Sequence, residues 1–597
     1  MKRYTYYMAG MFAVATLFTA CDNDFLEEKP KTLFTVENAF EKSSQVDATI
    51  VRAYVAFTDL YGVANSFVES NRSAANLLHG DGSDLLGGNG YPFMAPGLFS
   101  NFMNLNADTP AFNNLWNALY QLASHANLAL YGAEQVSWNS AQDKAYSLAQ
   151  AKFFRGWAYL RLAECFGGVP IVEEYSDQLK FDYVRASRQE TYQFAIDNLK
   201  EAAENLPDYP LEDGRVAKGI ANHFLAEAYV GLGTETGDNG AYAQAVTAAE
   251  KTLALHPLMT QRFGSRAQEG DAGSVNGVPN YKADGNVFYD LFQIGNYDFS
   301  TGNTESLMAV QIPSAENYDR NGGKFYNFGC TCYTPFRDLN WAPAYLEEGT
   351  SGGPWKGNVD YDLYPGGPNS AYLGGTTWGI IGSTDYADEV VWEGAFANDM
   401  RNEQVNLCNP IVLDTKHSKY GQVVQKEWLE FPSAHMRISC KVTMQDGWGW
   451  TARHSAYGSV YVVMWGRDNY VARSAETALL LAEAYLRSGN QAKATAALNQ
   501  VRNRAQAGYL YSTITLKDIL DERARELMWE EHRWPTLLRM NSSEGPCKEV
   551  ADQLANHTMY AADCAQPGVT PAWGLFPIPL TVINLNTDAE LTQNKGW

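Results

Sequence analysis

The sequence predicts a mainly α protein: a tetratricopeptide-like scaffold of helical hairpins interrupted by one long, loop-rich insertion with minor β structure. Three observations lead to that class. Apolar residues recur at helical spacing through both ends of the 597-residue chain. A short pattern occurs three times, as Leu162-Ala163-Glu164-Cys165-Phe166, Leu225-Ala226-Glu227-Ala228-Tyr229 and Leu481-Ala482-Glu483-Ala484-Tyr485. From about Gly264 to Gly458 the helical period disappears, and Gly, Asn, Asp, Tyr and Trp take over.

Residues 1–20 read as a signal peptide. Lys2 and Arg3 form a basic start, and an apolar stretch follows from Met8 to Phe18. That stretch is shorter than the roughly 20 residues a membrane span needs. It ends in Leu17-Phe18-Thr19-Ala20-Cys21, which resembles a lipobox: small residues fit the peptidase, and the Cys21 thiol takes the diacylglyceryl group. Two or more acyl chains make a stable anchor. Residues 21–34 then form a lipidated linker whose acidic run, Asp22 to Glu28, is similar to tags that send some lipoproteins to the outer leaflet of the outer membrane. The expected location is the outer membrane, lipid-anchored and facing the cell surface.

Residues 35–263 predict the N-terminal helical scaffold. Val46, Ile50, Ala53, Tyr54, Phe57 and Tyr61 fall on one helical face, with Gly62 as the stop. Phe112, Leu115, Trp116, Leu119, Leu122, Ala123 and Ala126 mark a second helix. Phe153, Trp157, Leu160 and Ala163 mark another, closed by Gly167-Gly168-Val169-Pro170. The second copy of the short pattern continues to Gly233, Tyr242 and Ala245, and the third to Gly489, Ala494, Leu498 and Val501. This is tetratricopeptide spacing: small residues let paired helices approach, and a ring fills the groove between them. The copies do not keep the period of about 34 residues of a regular solenoid, so insertions must separate the hairpins.

Residues 264–458 predict a loop-rich region. Ser306 to Ile312 alternates like a strand, and the remainder reads as long ordered loops. Loops of that length are functional or disordered, and this aromatic content argues against disorder. Residues 459–597 return to helical periodicity and form the C-terminal scaffold and closing segment. Residues 21–597 read as one unit.

The formal net charge is −23. Nucleic-acid binding needs a basic footprint, and no Lys/Arg cluster supplies one. An acidic chain is also repelled by anionic lipid, so membrane association is expected through the anchor alone. Neutral ligands are the natural expectation. The 8 cysteines are too few for a disulfide-stapled scaffold, so most are expected to be free and buried. Neither they nor the 9 histidines show metal-ligand spacing; no metal or cofactor is expected.

Several stretches together resemble the SusD/RagB family of outer-membrane nutrient-binding lipoproteins. Leu575-Phe576-Pro577-Ile578-Pro579, Val582 to Asn586, and Leu591-Thr592-Gln593-Asn594-Lys595-Gly596-Trp597 look like the family's ending, with Lys595 in place of its Pro and Trp597 in place of its Tyr. Glu522-Arg523 through Glu526, Glu530 and His532-Arg533-Trp534 to Leu538-Arg539 resemble its Glu-Arg…His-Arg-Trp element, here with Pro535 after the Trp. Cys21 with Phe25-Leu26-Glu27 and Pro30 matches the start, and 151–170 resembles the helix that ends in Phe-Gly-x-Val-Pro. The resemblance runs end to end in scaffold motifs and is loose over 264–458. It implies a non-catalytic surface protein that captures a glycan and hands it to a SusC-like TonB-dependent transporter. A RagB-like member would bind oligopeptides instead.

Within that frame the candidate ligand residues are aromatics set among Gly, Pro, Asn and Asp, where helix burial does not account for them: Trp341, Trp355, Tyr361, Tyr364, Tyr372, Trp378 and Tyr386. Sugar rings present flat C–H faces that aromatic planes cover at low entropy cost. The resemblance adds the stretch before the next helix, with Tyr91 and Phe93. Rival chemistries are weak. Glu526 and Glu530, spaced one helical turn apart, suggest a glycosidase pair, but Arg523 and Arg533 flank them and predict a salt-bridge ladder. Gly349-Thr350-Ser351-Gly352-Gly353 matches a nucleophile elbow without the strand and helix that motif needs. Asp81-Gly82-Ser83-Asp84 lacks the spacing and closing Glu of a calcium loop and reads as a turn. A surface glycoside hydrolase is therefore the remote alternative, and an oligopeptide binder the nearer one.

Overall fold

The computed structural model describes residues 39–61, 69–88, 105–176, 178–264, 285–293, 295–311, 381–408, 425, 437–441, 468–557 and 573–597. In chain order the elements used below are α1 (Ser43–Asp59), α2 (Glu69–His79), β1 (Leu86–Gly88), α3 (Pro110–Gln135), α4 (Ala141–Cys165), α5 (Arg188–Asn205), α6 (Lys218–Thr236), α7 (Asn239–Leu255), α8 (Val287–Leu291), β2 (Ser306–Val310), β3 (Ile381–Ser383), α9 (Asp385–Asp388), β4 (Leu407–Cys408), β5 (Ile438–Ser439), β6 (Asn469–Arg473), α10 (Ser474–Arg487), α11 (Gln491–Arg504), α12 (Leu516–Leu527), α13 (Arg533–Met540), α14 (Lys548–His557) and α15 (Leu580–Leu585).

The helices begin and end where local chemistry allows. Pro110 opens α3. The Ser140 hydroxyl accepts from the Asp143 amide at the start of α4. Ser187 with Glu190 and Thr515 with Asp518 make reciprocal caps on α5 and α12. Helix α4 stops as expected, with Gly167 turned to φ +76°. Val46, Ile50, Ala53 and Phe57 form the buried stripe of α1, and Tyr61 is buried just beyond its end.

The helices stack in a continuous series: α1 on α3, then α3 on α4, α4 on α5, α5 on α6, α6 on α7, α7 on α10 and α10 on α11. The step from α7 to α10 is the informative one. More than 200 residues separate these helices in sequence, yet they are neighbours, so the hairpin series resumes on the far side of the insertion. The repeated motifs sit on α4, α6 and α10. Their close approach is visible at Gly233, where a Cβ would lie 2.6 Å from the Tyr242 ring, and at Gly231, where it would meet the Tyr192 ring at 2.5 Å.

One core cluster runs through the scaffold, from Phe57 and Trp157 through Phe224 and Leu481 to Trp534 and Phe576. Among the described residues the named strands pair in three two-stranded antiparallel ladders, β1–β3, β2–β6 and β4–β5. The strand expected from Ser306 is β2; it is fully buried and pairs with β6. Residues 575–597 close the molecule. Asn594 Nδ2 donates to the carbonyls of Phe166 (2.9 Å) and Phe576 (2.6 Å), and the Phe576 amide donates to Cys165 (2.8 Å). Trp597 stacks on Trp573 with centroids 5.0 Å apart.

One expected continuity fails. The stretch from Glu522 to Leu538 is two helices, not one: α12 ends at Leu527 and α13 begins at Arg533. The chain turns at Met528, whose ψ of 131° leaves the helical range, and Trp529 takes φ +70°. No described helix is long and apolar enough to cross a membrane.

Candidate functional site

Cys21, Tyr91, Phe93, Trp341, Trp355, Tyr361, Tyr364, Tyr372 and Trp378 lie outside the described residues, as do Ser351 and the pair Cys330 and Cys332. Tyr386 is described, and it is no ligand platform. Its ring is 2% exposed, packed with Leu85, Leu86, Val391 and Trp392, and its hydroxyl donates to Asp521 at 2.6 Å. Adjacent Thr384 caps α9 and turns the Tyr386 ring into this small core. Position in the aromatic-rich region suggested exposure, and tertiary packing decides otherwise.

The described residues do show where the loop-rich segments are rooted. Residues 312–380 leave one residue after β2 and return into β3; 89–104 follow β1; 442–467 follow Lys441 and lead into β6. β1 pairs with β3 and β2 with β6, so both ends of 312–380 are held by ladders. Several roots meet around one patch. Tyr61, which precedes 62–68, Lys441, Asn469 and Tyr470 line a small cavity with His79, Phe292, Tyr297, Trp529 and Glu530. Its volume is about 20 Å³, room for about one water. Burial holds His79 down at about 3, so its imidazole is neutral. Trp529 was not singled out in the sequence. A bulky side chain at positive φ marks a backbone held in place by its surroundings. The sequence held no clue, because Glu526, Glu530 and Trp534 keep helical spacing across the turn.

Beneath the roots lies a lattice of buried charges. Glu526 accepts from Arg401 (2.9 Å), Arg473 (3.1 Å) and Arg504. Glu530, beyond the end of α12, is bound by Arg473 (2.6 Å) and Lys441 (2.5 Å). Glu522 binds Arg401 (2.8 Å), Arg502 (2.7 Å) and Arg525 (2.7 Å). The expected ladder exists with different partners. Arg523 serves Glu476 and Glu531, while Arg533 grips both carboxylate oxygens of Asp84 (2.9 and 2.5 Å) and Glu531. Arg401 and Lys441 come from within 264–458 and Arg473 from β6, all beyond the reach of helical spacing.

This lattice fixes the chemistry of the suspected carboxylate pair. Burial by itself would raise Glu526 and Glu530, but the neighbouring cations outweigh it and hold both below the usual carboxylate range. A glycosidase acid must keep its proton near neutral pH, and neither residue can. Asp84 is likewise committed to Arg533 and to Gln553 (2.8 Å), and Asp81 offers its carbonyl to Trp534 Nε1 (2.8 Å). The 81–84 stretch is a turn pinned to α13. Among the described residues no group of His, Cys, Asp and Glu has metal-binding geometry. Among the described residues Cys165, Cys440 and Cys547 form no disulfide.

Comparison with known proteins covers both halves of the chain. Residues 376–597 match the model described as the SusD family, and residues 24–230 match the one described as starch-binding, associating with the outer membrane. SusD-like protein P2 of Formosa agariphila is 26% identical over 223 residues, 37% of this chain and 42% of that relative, so the match spans less than half of P2. SusD-like protein P38 of the same organism is 22% identical over 456 residues, 74% of each chain. Among solved structures, a SusD homolog from Bacteroides thetaiotaomicron superposes with a TM-score of 0.65 at 18% identity, covering 95% of this chain and 100% of that one. A laminarin binding SusD-like protein gives 0.58 at 19% identity, over 94% and 100%. Surface glycan-binding protein A from Bacteroides thetaiotaomicron, in complex with laminarihexaose, gives 0.58 at 18% identity, over 93% and 99%. At these identities the structural likeness establishes the fold.

Proposed function

The chain belongs to the SusD/RagB family, and from that premise we propose that it is a cell-surface glycan-binding lipoprotein. It is anchored to the outer membrane through Cys21, captures oligo- or polysaccharide, and delivers it to a SusC-like TonB-dependent transporter without chemical change. The observation that supports this reading is that the described residues at both ends of the aromatic-rich segment 312–380 are paired in ladders, one of which carries Arg473 of the buried ionic lattice. Binding sites are built by holding loops on stiff elements, and Trp341, Trp355, Tyr361, Tyr364, Tyr372 and Trp378 give that segment the flat apolar faces a sugar needs. Tyr91 and Phe93 follow β1, the strand that pairs with the far end of the same segment, and join the proposed ligand set. Relatives of the same fold are named for laminarin and are solved with laminarihexaose or a xylogluco-oligosaccharide. The charge lattice supports a binding role, because it occupies the acids a hydrolase would use.

Calorimetry of the chain from Asp22 onward, against neutral polysaccharides and a mixed oligopeptide pool, tests the proposal. A glycan affinity that falls about three- to tenfold in Trp355→Ala or Trp378→Ala is expected, since each stacked ring contributes about 0.5–1.5 kcal/mol. Heat from the peptide pool alone would move the protein to a RagB-like, oligopeptide-binding role. Release of reducing ends from bound glycan would end the non-catalytic reading.

A further inference from the structure

Cations are outnumbered in this chain, 45 Lys and Arg against 68 Asp and Glu, and most of those in the core are paired. Two exposed scaffold lysines that share one groove are left unpaired. Lys200 on α5 and Lys251 on α7 are exposed, and neither has a hydrogen bond or ion pair among the described residues. Both line one groove of about 320 Å³ between α5, α6 and α7. Lys218, the first residue of α6, lines it as well while binding Asp208 at 2.5 Å, and Glu204 is the one acid among the lining residues.

The groove also holds an unspent polar group. Asn222 is 3% exposed and lines the groove, and its side-chain amide has no hydrogen bond among the described residues. Buried amides are paired as a rule. Asn198, in the core nearby on α5, follows that rule by donating to Phe194 and accepting from Arg155. The amide atoms of Asn222 are not sealed from solvent, so they open on the groove and are available to a bound ligand. One helical turn apart on the same wall, Leu225 and Tyr229 add an apolar strip.

We propose that this groove binds an extended acidic segment of a partner protein, with carboxylates held by Lys200 and Lys251 and the N–H and C=O of one extended residue held by Asn222. A primary amide sets a donor beside an acceptor, which is the complement of a peptide N–H and C=O. An acidic sugar offers carboxylate and hydroxyl groups without that pairing. The strip at Leu225 and Tyr229 takes an aliphatic side chain of the segment. Because the remainder of the chain is strongly acidic, an acidic segment is repelled elsewhere and directed to this groove. The site is on the helical scaffold and includes none of the residues proposed to take glycan.

The test uses the chain from Asp22 onward and a fluorescein-labelled nonapeptide of alternating Glu and Leu, with a Gln/Leu counterpart and an oligogalacturonate as probes. Fluorescence anisotropy should show saturable binding of the Glu/Leu peptide that weakens steadily with added salt. Lys200→Glu with Lys251→Glu should weaken it about tenfold or more. Both side chains are exposed, so the variant keeps its thermal midpoint and its glycan affinity. Asn222→Ala should weaken the acidic peptide while leaving the salt slope unchanged. Absence of saturable peptide binding, equal binding of the Gln/Leu peptide, or indifference to the double substitution would overturn the proposal. Tighter binding of oligogalacturonate at the same lysines would overturn it in favour of an anionic glycan.

Discussion

Arg533 shows how much a single side chain can organise. It holds both oxygens of Asp84 and one of Glu531 while fully buried, tying α13 to the turn that leads into β1. Removing one partner of such a pair strands the other as a buried charge, so Arg533→Ala is expected to lower stability by about 3–5 kcal/mol, read from urea unfolding. Tyr386→Phe is the opposite case. It removes the hydrogen bond to Asp521, worth about 1 kcal/mol, and should leave glycan affinity within about twofold by calorimetry. At this scale the sequence is only partly legible. His532 was expected to serve the scaffold, and it does, stacked on Tyr61 at 4.6 Å. The partners of Glu526 were not legible, because Arg401, Arg473 and Arg504 come from three separate segments that no local spacing connects. Trp529 was missed because its importance lies in its backbone angle.

At the scale of elements the period of apolar residues was a sound guide. The faces read for α1, α3 and α4 are the buried ones, and the three repeated motifs all lie on scaffold helices. What periodicity could not give was the break between α12 and α13. Glu530, His532 and Trp534 continue a plausible helical phase while the backbone turns, since the side chains there are held by buried partners from other segments. The hairpins themselves depend on close approach. At Gly233 a Cβ would sit inside the contact distance of the Tyr242 ring, on a core side chain with little room to retreat. Gly233→Ala should therefore destabilise by about 1–3 kcal/mol, seen as a lower thermal midpoint. Glycan affinity below that midpoint should be unchanged, since neither residue belongs to the proposed ligand set.

The whole molecule carries two sets of buried carboxylates that respond to acid in opposite senses. Burial would raise Glu483 and Glu522, but arginines outweigh it and hold both at about 2, so their contribution is present above the ordinary value of 4.5 and is lost as pH falls toward 2. Burial pushes Asp388 up to about 7, so its contribution is full below its ordinary value of 3.8 and is lost as pH rises toward 7. The expected result is a thermal midpoint highest near pH 5, declining on both sides, and Asp388→Asn should flatten the limb between 5 and 7. Scanning calorimetry across that range checks it. The overall plan was legible in sequence, including a scaffold whose hairpins are parted by an insertion. The adjacency of α7 and α10 was not, because it is a fact about space and not about spacing. The bond from Asn594 to Phe166, 428 residues apart, carries a consequence of another kind. Contacts between such distant positions form late and slowly, because a long loop must close before they gain anything. The early helices therefore wait, without their final seal, while the remainder of the chain is made. If the chain is exported as proposed above, that delay keeps it pliable until the far end arrives to lock it.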